Sequence, residues 1–277
     1  MTSKRKVAFV TGASRGIGAE TAVALARAGY DVAITARTLE EGERHEHGAW
    51  QSNTEPLPGS LMATARLIEA AGGRALPMRA DILEVDTVLA AVQQTRDTLG
   101  PIDLLFNNAC YQGQGNMAYV LDIEPGHLRN IYQGNVFTPL QTIQAVLPDM
   151  LERGTGTVIN MVSGSALMDP PAPADKGGWG FAYSSSKAAL IRMAGVLRVE
   201  HADSGLRFFN VEPGFVVTEV MKANGITEET AKRFKPTSPE HIARVITWLA
   251  GSEAALGWQT KTVIHAPALG DAELGSA

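Results

Sequence analysis

The sequence predicts an α/β fold, a Rossmann-type doubly wound parallel sheet of about seven strands in a single domain. Three observations carry this. Short β-rich apolar runs alternate with longer amphipathic stretches of helical length. A glycine-rich turn follows the first run, where a strand would enter a helix. No linker-like run divides the chain, so residues 1–277 read as one domain.

The predicted strands are Val7–Thr11, Asp31–Ala36, Ala75–Arg79, Ile102–Phe106, Thr157–Val162, Leu206–Val211 and Thr262–His265. Predicted helices include Ala19–Ala28, Ser60–Ala71, one long helix over Glu124–Arg153, and Glu240–Ala250. Punctuation agrees: Gly29 and Gly72 stand where helix ends are wanted, and Ser238-Pro239 reads as N-cap then first-turn proline.

A chain of 277 residues with 45% apolar content can bury a full core. The net charge of −5, with no basic cluster beyond Lys4-Arg5-Lys6, points away from nucleic acid and acidic membrane surfaces. The apolar run after that basic start is too short for a signal peptide, and nothing reaches the ~18 apolar residues that span a bilayer. With one cysteine, Cys110, no internal disulfide can form, and a cytoplasmic protein is expected.

Three stretches carry chemistry. In Thr11-Gly12-Ala13-Ser14-Arg15-Gly16-Ile17-Gly18, glycines at a strand-to-helix turn let the backbone approach a pyrophosphate, whose charge is met by N–H groups at the helix start. At the end of the second strand Ala36-Arg37 stands where an acid would grip the ribose hydroxyl of NAD. Arg37 and Arg15 instead suit the extra phosphate of NADP, so NADP(H) is predicted over NAD(H). In Tyr183-Ser-Ser-Ser-Lys187, helical spacing stacks phenol and ammonium on one face. A tyrosine base at neutral pH needs about 4 kcal/mol of help, and one ammonium about 4 Å away is worth roughly that much.

The glycine turn, and motifs through almost the whole chain, resemble the classical short-chain dehydrogenases/reductases. That resemblance implies hydride transfer with NAD or NADP on an alcohol or carbonyl substrate, in a homodimer or homotetramer. It implies that Gly12, Ser14, Arg15, Gly16, Ile17 and Gly18 hold the cofactor, with Asp81 and Ile82 against the adenine. Asn108 and Ala109, in a run resembling the family's Asn-Asn-Ala-Gly, would line the cofactor, with Cys110 in place of the glycine. Pro213, Gly214, Val216 and Thr218 match the family's Pro-Gly-x-x-x-Thr and would meet the nicotinamide end. The implied catalytic residues are Tyr183 as acid/base, Lys187 lowering its pKa and holding the nicotinamide ribose, Ser163 orienting the substrate oxygen, and Asn135 holding a relay water. Ser165 is the alternative to Ser163. An epimerase or dehydratase of the extended relatives, or a non-catalytic NADP sensor, are the rival readings.

Two insertions depart from the family. Residues 38–59 are polar and longer than an ordinary βα loop, and leave beside Arg37, so they are expected either to fold over the adenosine end or to form a surface excursion. His45 and His47 within it look like part of a solvated charge run, and no metal site is predicted. Residues 168–180, rich in proline and glycine, would cross the mouth of the site and offer Trp179, with Phe181 beyond, as substrate wall. Phe215 and a lid over 215–236, with short helices at Glu219–Asn224 and Glu228–Phe234, complete the predicted substrate side.

Overall fold

The computed structural model describes residues 5–227, 229, 232 and 235–274. Seven parallel strands, β1 (Lys6–Thr11), β2 (Tyr30–Ala36), β3 (Ala75–Arg79), β4 (Leu104–Asn107), β5 (Gly156–Met161), β6 (Leu206–Glu212) and β7 (Ile264–His265), form one sheet in the order β3-β2-β1-β4-β5-β6-β7. The order reverses between β1 and β4, and such a switch point opens a crevice at the carboxyl ends of the strands.

The strands are apolar on both sides because helices cover both faces. Ala8 and Val10 of β1 pack with Leu25 of α1 (Gly16–Arg27), Ile68 of α2 (Leu61–Ala70) and Ile246 of the helix Pro239–Gly251. Val7 and Phe9 face the other way, onto Val92 of α3 (Val85–Thr98), Val146 and Leu197. Helix punctuation follows the sequence. Ser60 and Ser238 accept from the backbone N–H three residues on, and Gly29 and Gly72 sit just past α1 and α2 at φ of 94° and 87°, a region that favours glycine.

A buried polar ladder crosses the sheet. Asn107, Asn160 and Asn210 stand opposite one another on β4, β5 and β6. Asn107 Nδ2 donates to Asn160 Oδ1 at 3.0 Å, Asn160 Nδ2 reaches Asn210 Oδ1 at 3.5 Å, and Asn210 Nδ2 donates to the carbonyls of Ile191 and Thr262. Side-chain hydrogen bonds thus fix neighbouring strands just below the crevice.

The long helix expected over Glu124–Arg153 is instead three pieces: α4 (Pro125–Tyr132), a π turn at Gln133–Phe137, and α5 (Thr138–Arg153). Pro139 is the reason we assign. It has no N–H, so the Asn135 carbonyl lacks its ordinary helical donor, and the ladder loosens by one residue there. The fourth strand also begins later than expected, at Leu104, because Asp103 turns its backbone N–H and its carboxylate back onto Val7. Helix α6 (Phe181–Glu200) carries the Tyr183 motif, and α7 (Glu219–Ala223) covers most of the first helix expected in the lid segment. The expected helix Glu228–Phe234 lies mostly outside the described residues.

Candidate active site

One cavity of about 780 Å³ runs along the crevice. The glycine turn, the end of β2, segment 38–59, Asp81, Ile82, Asn108, Ala109, Ser163, Ser165, Tyr183, Lys187 and the segment from Pro213 to Thr218 all line it. At the end beside α1 the glycines are needed for space. A Cβ on Gly18 would lie 2.3 Å from the Gly12 carbonyl oxygen, and one on Gly12, at φ 69°, would lie 2.8 Å from the Ala109 backbone. Arg15 at the N-cap of α1 supplies no side-chain cap, and the first turn holds no acid, so the helix start is suited to an anion. Asn108 has a holding role: its Nδ2 donates to the Thr11 and Gly12 carbonyls at 2.9 and 3.1 Å, and Thr11 Oγ1 accepts from the N–H groups of both Asn108 and Ala109.

At the other end Ser163 ends the turn after β5. Its Oγ accepts from Ser165 Oγ at 3.0 Å and from Ser165 N at 3.3 Å, so buried Ser165 orients Ser163. The Tyr183 hydroxyl lines the same end of the cavity as Ser163, near enough for the serine to favour its ionised form. Burial pushes Tyr183 above the ordinary phenol value and Cys110 adds to this, while Lys187 and Ser163 pull it down. The expected influence of Lys187 is therefore present but outweighed by burial. Burial also disfavours the Lys187 ammonium, yet Cys110 and Tyr183 hold its pKa above the ordinary value. Its Nζ donates to the Met161 carbonyl at 3.0 Å.

Asn135 sits behind this group, 1% exposed, with Oδ1 accepting from Tyr111 N at 2.8 Å and Nδ2 donating to Ser186 Oγ at 3.1 Å. Its side chain braces the segment after Cys110 against α6, beside the cavity rather than in it. Val216 is buried at the cavity wall, and Thr218 caps α7 by accepting from Met221 N. Trp179 and Phe215 also line the cavity. Phe181 does not: as the first residue of α6 it is 49% exposed and points away, which corrects the expectation for it.

Segment 38–59 lies against the body. Arg15 donates to the carbonyls of Pro58 and Gly59 at 2.8 and 2.9 Å, and Arg37 to that of Glu46 at 2.9 Å. The Glu46 carboxylate accepts from the N–H groups of Gly48 and Asn53 in its own segment. Burial raises its pKa, but these bonds outweigh that and hold it at about 2. Far along the chain, Asn224 ties the segment to the lid: Nδ2 donates to the His47 carbonyl at 3.0 Å and Oδ1 accepts from Ala49 N at 2.8 Å. His45 and His47 bond to Glu43 and to the Glu55 carbonyl. Neither the Asn224 tie nor the place of Glu212 in the cavity was legible as a motif, since both join residues with no sequence spacing to betray them.

The sequence model of the family described as short chain dehydrogenase matches residues 6–55 and 46–229, and the chain belongs to that oxidoreductase family. An uncharacterized oxidoreductase of Methylorubrum extorquens is 32% identical over 269 residues, covering 94% of this chain and 96% of that protein. The ketoacyl reductase HetN of Nostoc sp. is 31% identical over 213 residues, 76% of this chain and 63% of that protein. Among solved structures, a metagenomic short-chain oxidoreductase in complex with NADP superposes with TM-score 0.69 at 26% identity, covering 94% of this chain and 96% of that one. A short chain dehydrogenase of Mycobacterium paratuberculosis bound to NAD gives TM-score 0.71 at 25% identity over 93% and 94%.

Proposed function

We propose that the protein is an NADP(H)-dependent oxidoreductase that interconverts a secondary alcohol and a ketone or related carbonyl. The observation that carries this is the convergence of Ser163, Tyr183 and Lys187 on one end of a cavity whose other end is a glycine-lined helix start. A non-catalytic sensor has no use for that convergence.

The bound dinucleotide supplies or takes up the hydride. Ser163, oriented by Ser165, holds the substrate oxygen, and Tyr183 gives it a proton in the reducing direction or removes one in the oxidising direction. Lys187 keeps its charge beside the phenol and stabilises the phenolate that proton donation leaves. The Asn135 carbonyl, without a helical donor from Pro139, is suited to hold a water on the path from Lys187 to solvent.

Preference for NADP(H) is supported by the absence of an acid at Ala36-Arg37, and by Arg15 and Arg37, which line the cavity and form no ion pair among the described residues. Segment 38–59 is proposed as a cover for the adenosine end. Exposed Phe137 and Leu140 near the start of α5, and Val196 and Val199 on α6, favour a homodimer or homotetramer. Among the described residues no helix is long and apolar enough to cross a membrane, and the sole cysteine supports a cytoplasmic setting.

The test is a panel of ketones and secondary alcohols followed by NADPH absorbance. Turnover of several members is expected, and silence across the panel would favour the sensor.

A further inference from the structure

The residue before Pro213-Gly214 is Glu212, at the carboxyl end of β6. Its side chain is 13% exposed and lines the cavity. Oε1 accepts from Gly214 N at 2.9 Å, which fixes the carboxylate, and that oxygen lies 3.6 Å from where a Cβ on Gly164 would stand, next to Ser163. Oε2 is 3.4 Å from Nε2 of His265, a half-exposed residue at the protein surface. The carboxylate's negative charge adds to the influences that raise the Tyr183 pKa, after burial and Cys110.

Of the cations lining the cavity, two stand at the glycine turn and the third serves Tyr183. Among the described residues the lysines and arginines there are Arg15 and Arg37, bonded to segment 38–59 beside the glycine turn, and Lys187, whose ammonium donates to the Met161 carbonyl beside Tyr183. The remaining walls include Met117, Met168, Trp179, Phe215, Val220 and Met221, apolar surfaces of which the methionines adapt readily to ligand shape.

We propose that Glu212 is a specificity-determining residue, a fixed anion in the Ser163–Tyr183 end of the cavity that makes the site accept neutral or cationic apolar ketones and alcohols and reject carboxylates. This rests on the proposed oxidoreductase reading. A carboxylated substrate would bring a second negative charge within a few ångströms to about 10 Å of the first, where like charges repel. A neutral ring or chain meets only the apolar walls.

The test uses the NADPH-saturated protein at pH 8, where an ordinary histidine is uncharged, with methyl 4-acetylbenzoate, 4-acetylbenzoate and 4-acetyl-N,N,N-trimethylanilinium as probes. Calorimetry should show the ester bound roughly tenfold or more tightly than the carboxylate, and the cation at least as tightly as the ester. Glu212→Gln keeps an oxygen for Gly214 N and should bring ester and carboxylate within about threefold. An equal or tighter carboxylate in the parent protein, an unchanged ratio in the variant, or binding of none of the three overturns the proposal. If the variant does not fold, the parent's ranking of the three charges decides alone. NADPH oxidation read in the same samples separates the two ideas: a preserved ratio without turnover supports the filter and removes the catalytic reading.

Discussion

Lys187 Nζ lies 6.0 Å from the centre of the Tyr183 ring, one turn along the same helix, and reaches past it to the Met161 carbonyl. Proximity of the ammonium does not by itself make the tyrosine acidic. Burial raises the phenol and Cys110 raises it further, against the pull of Lys187. A raised value keeps Tyr183 protonated at neutral pH, so proton donation is available there and is lost only as pH climbs past that value. Removal of a proton has the opposite dependence. We expect kcat/KM for carbonyl reduction to stay flat from pH 6 to 8, and that for alcohol oxidation to rise about tenfold per pH unit. A flat oxidation profile would count against this.

Cys110 is the second lever on the same group. Its thiol replaces the glycine of the resembling families and stands near both Tyr183 and Lys187. Cys110→Ala removes a group that raises the phenol, so the rise of the oxidation profile should move to lower pH. The pH–rate profiles of the parent and variant, measured side by side, check the direction.

Arg37 tests the cofactor preference. A charge-assisted hydrogen bond is worth about 1.5–3 kcal/mol, so Arg37→Ala should weaken NADPH binding by roughly 10- to 150-fold and leave NADH within about threefold. Titration of the two cofactors reads this, and equal losses for both would remove the arginine from phosphate recognition.

Asn224 joins segment 38–59 to the lid through two neutral hydrogen bonds. Each is worth about 0.5–1.5 kcal/mol, so Asn224→Ala should weaken NADPH binding by about five- to 150-fold. Reduced nicotinamide mononucleotide, which has no adenosine for segment 38–59 to cover, should bind unchanged. An equal loss for the mononucleotide would point to the lid alone.

The asparagine ladder concerns stability. Asn160→Ala leaves Asn107 Nδ2 and Asn210 Oδ1 without their cross-strand partners in a fully buried position, and should cost about 2–5 kcal/mol. The midpoint of urea unfolding measures it.

The sheet was legible in the sequence because strands buried on both faces are written as near-continuous apolar runs, and the glycine turn because only glycine fits where Gly12 and Gly18 approach neighbouring backbone. Cavity-lining positions such as Ser163, Tyr183 and Thr218 could be read because each sits at a fixed offset from an element's end. The break at Asn135 was missed although Pro139 marked it, since the amphipathic pattern runs through the π turn without interruption. Glu212 and Asn224 were invisible for another reason. Their roles depend on which distant segments the fold brings beside them, and neither residue type nor spacing records that.

The central claim is that Tyr183 moves the proton. Tyr183→Phe keeps the ring on α6 and removes only the hydroxyl. With NADPH and the best ketone from the panel, the account predicts a loss of kcat of about 10²–10⁴-fold with NADPH affinity retained. Turnover within about tenfold of the parent would contradict it.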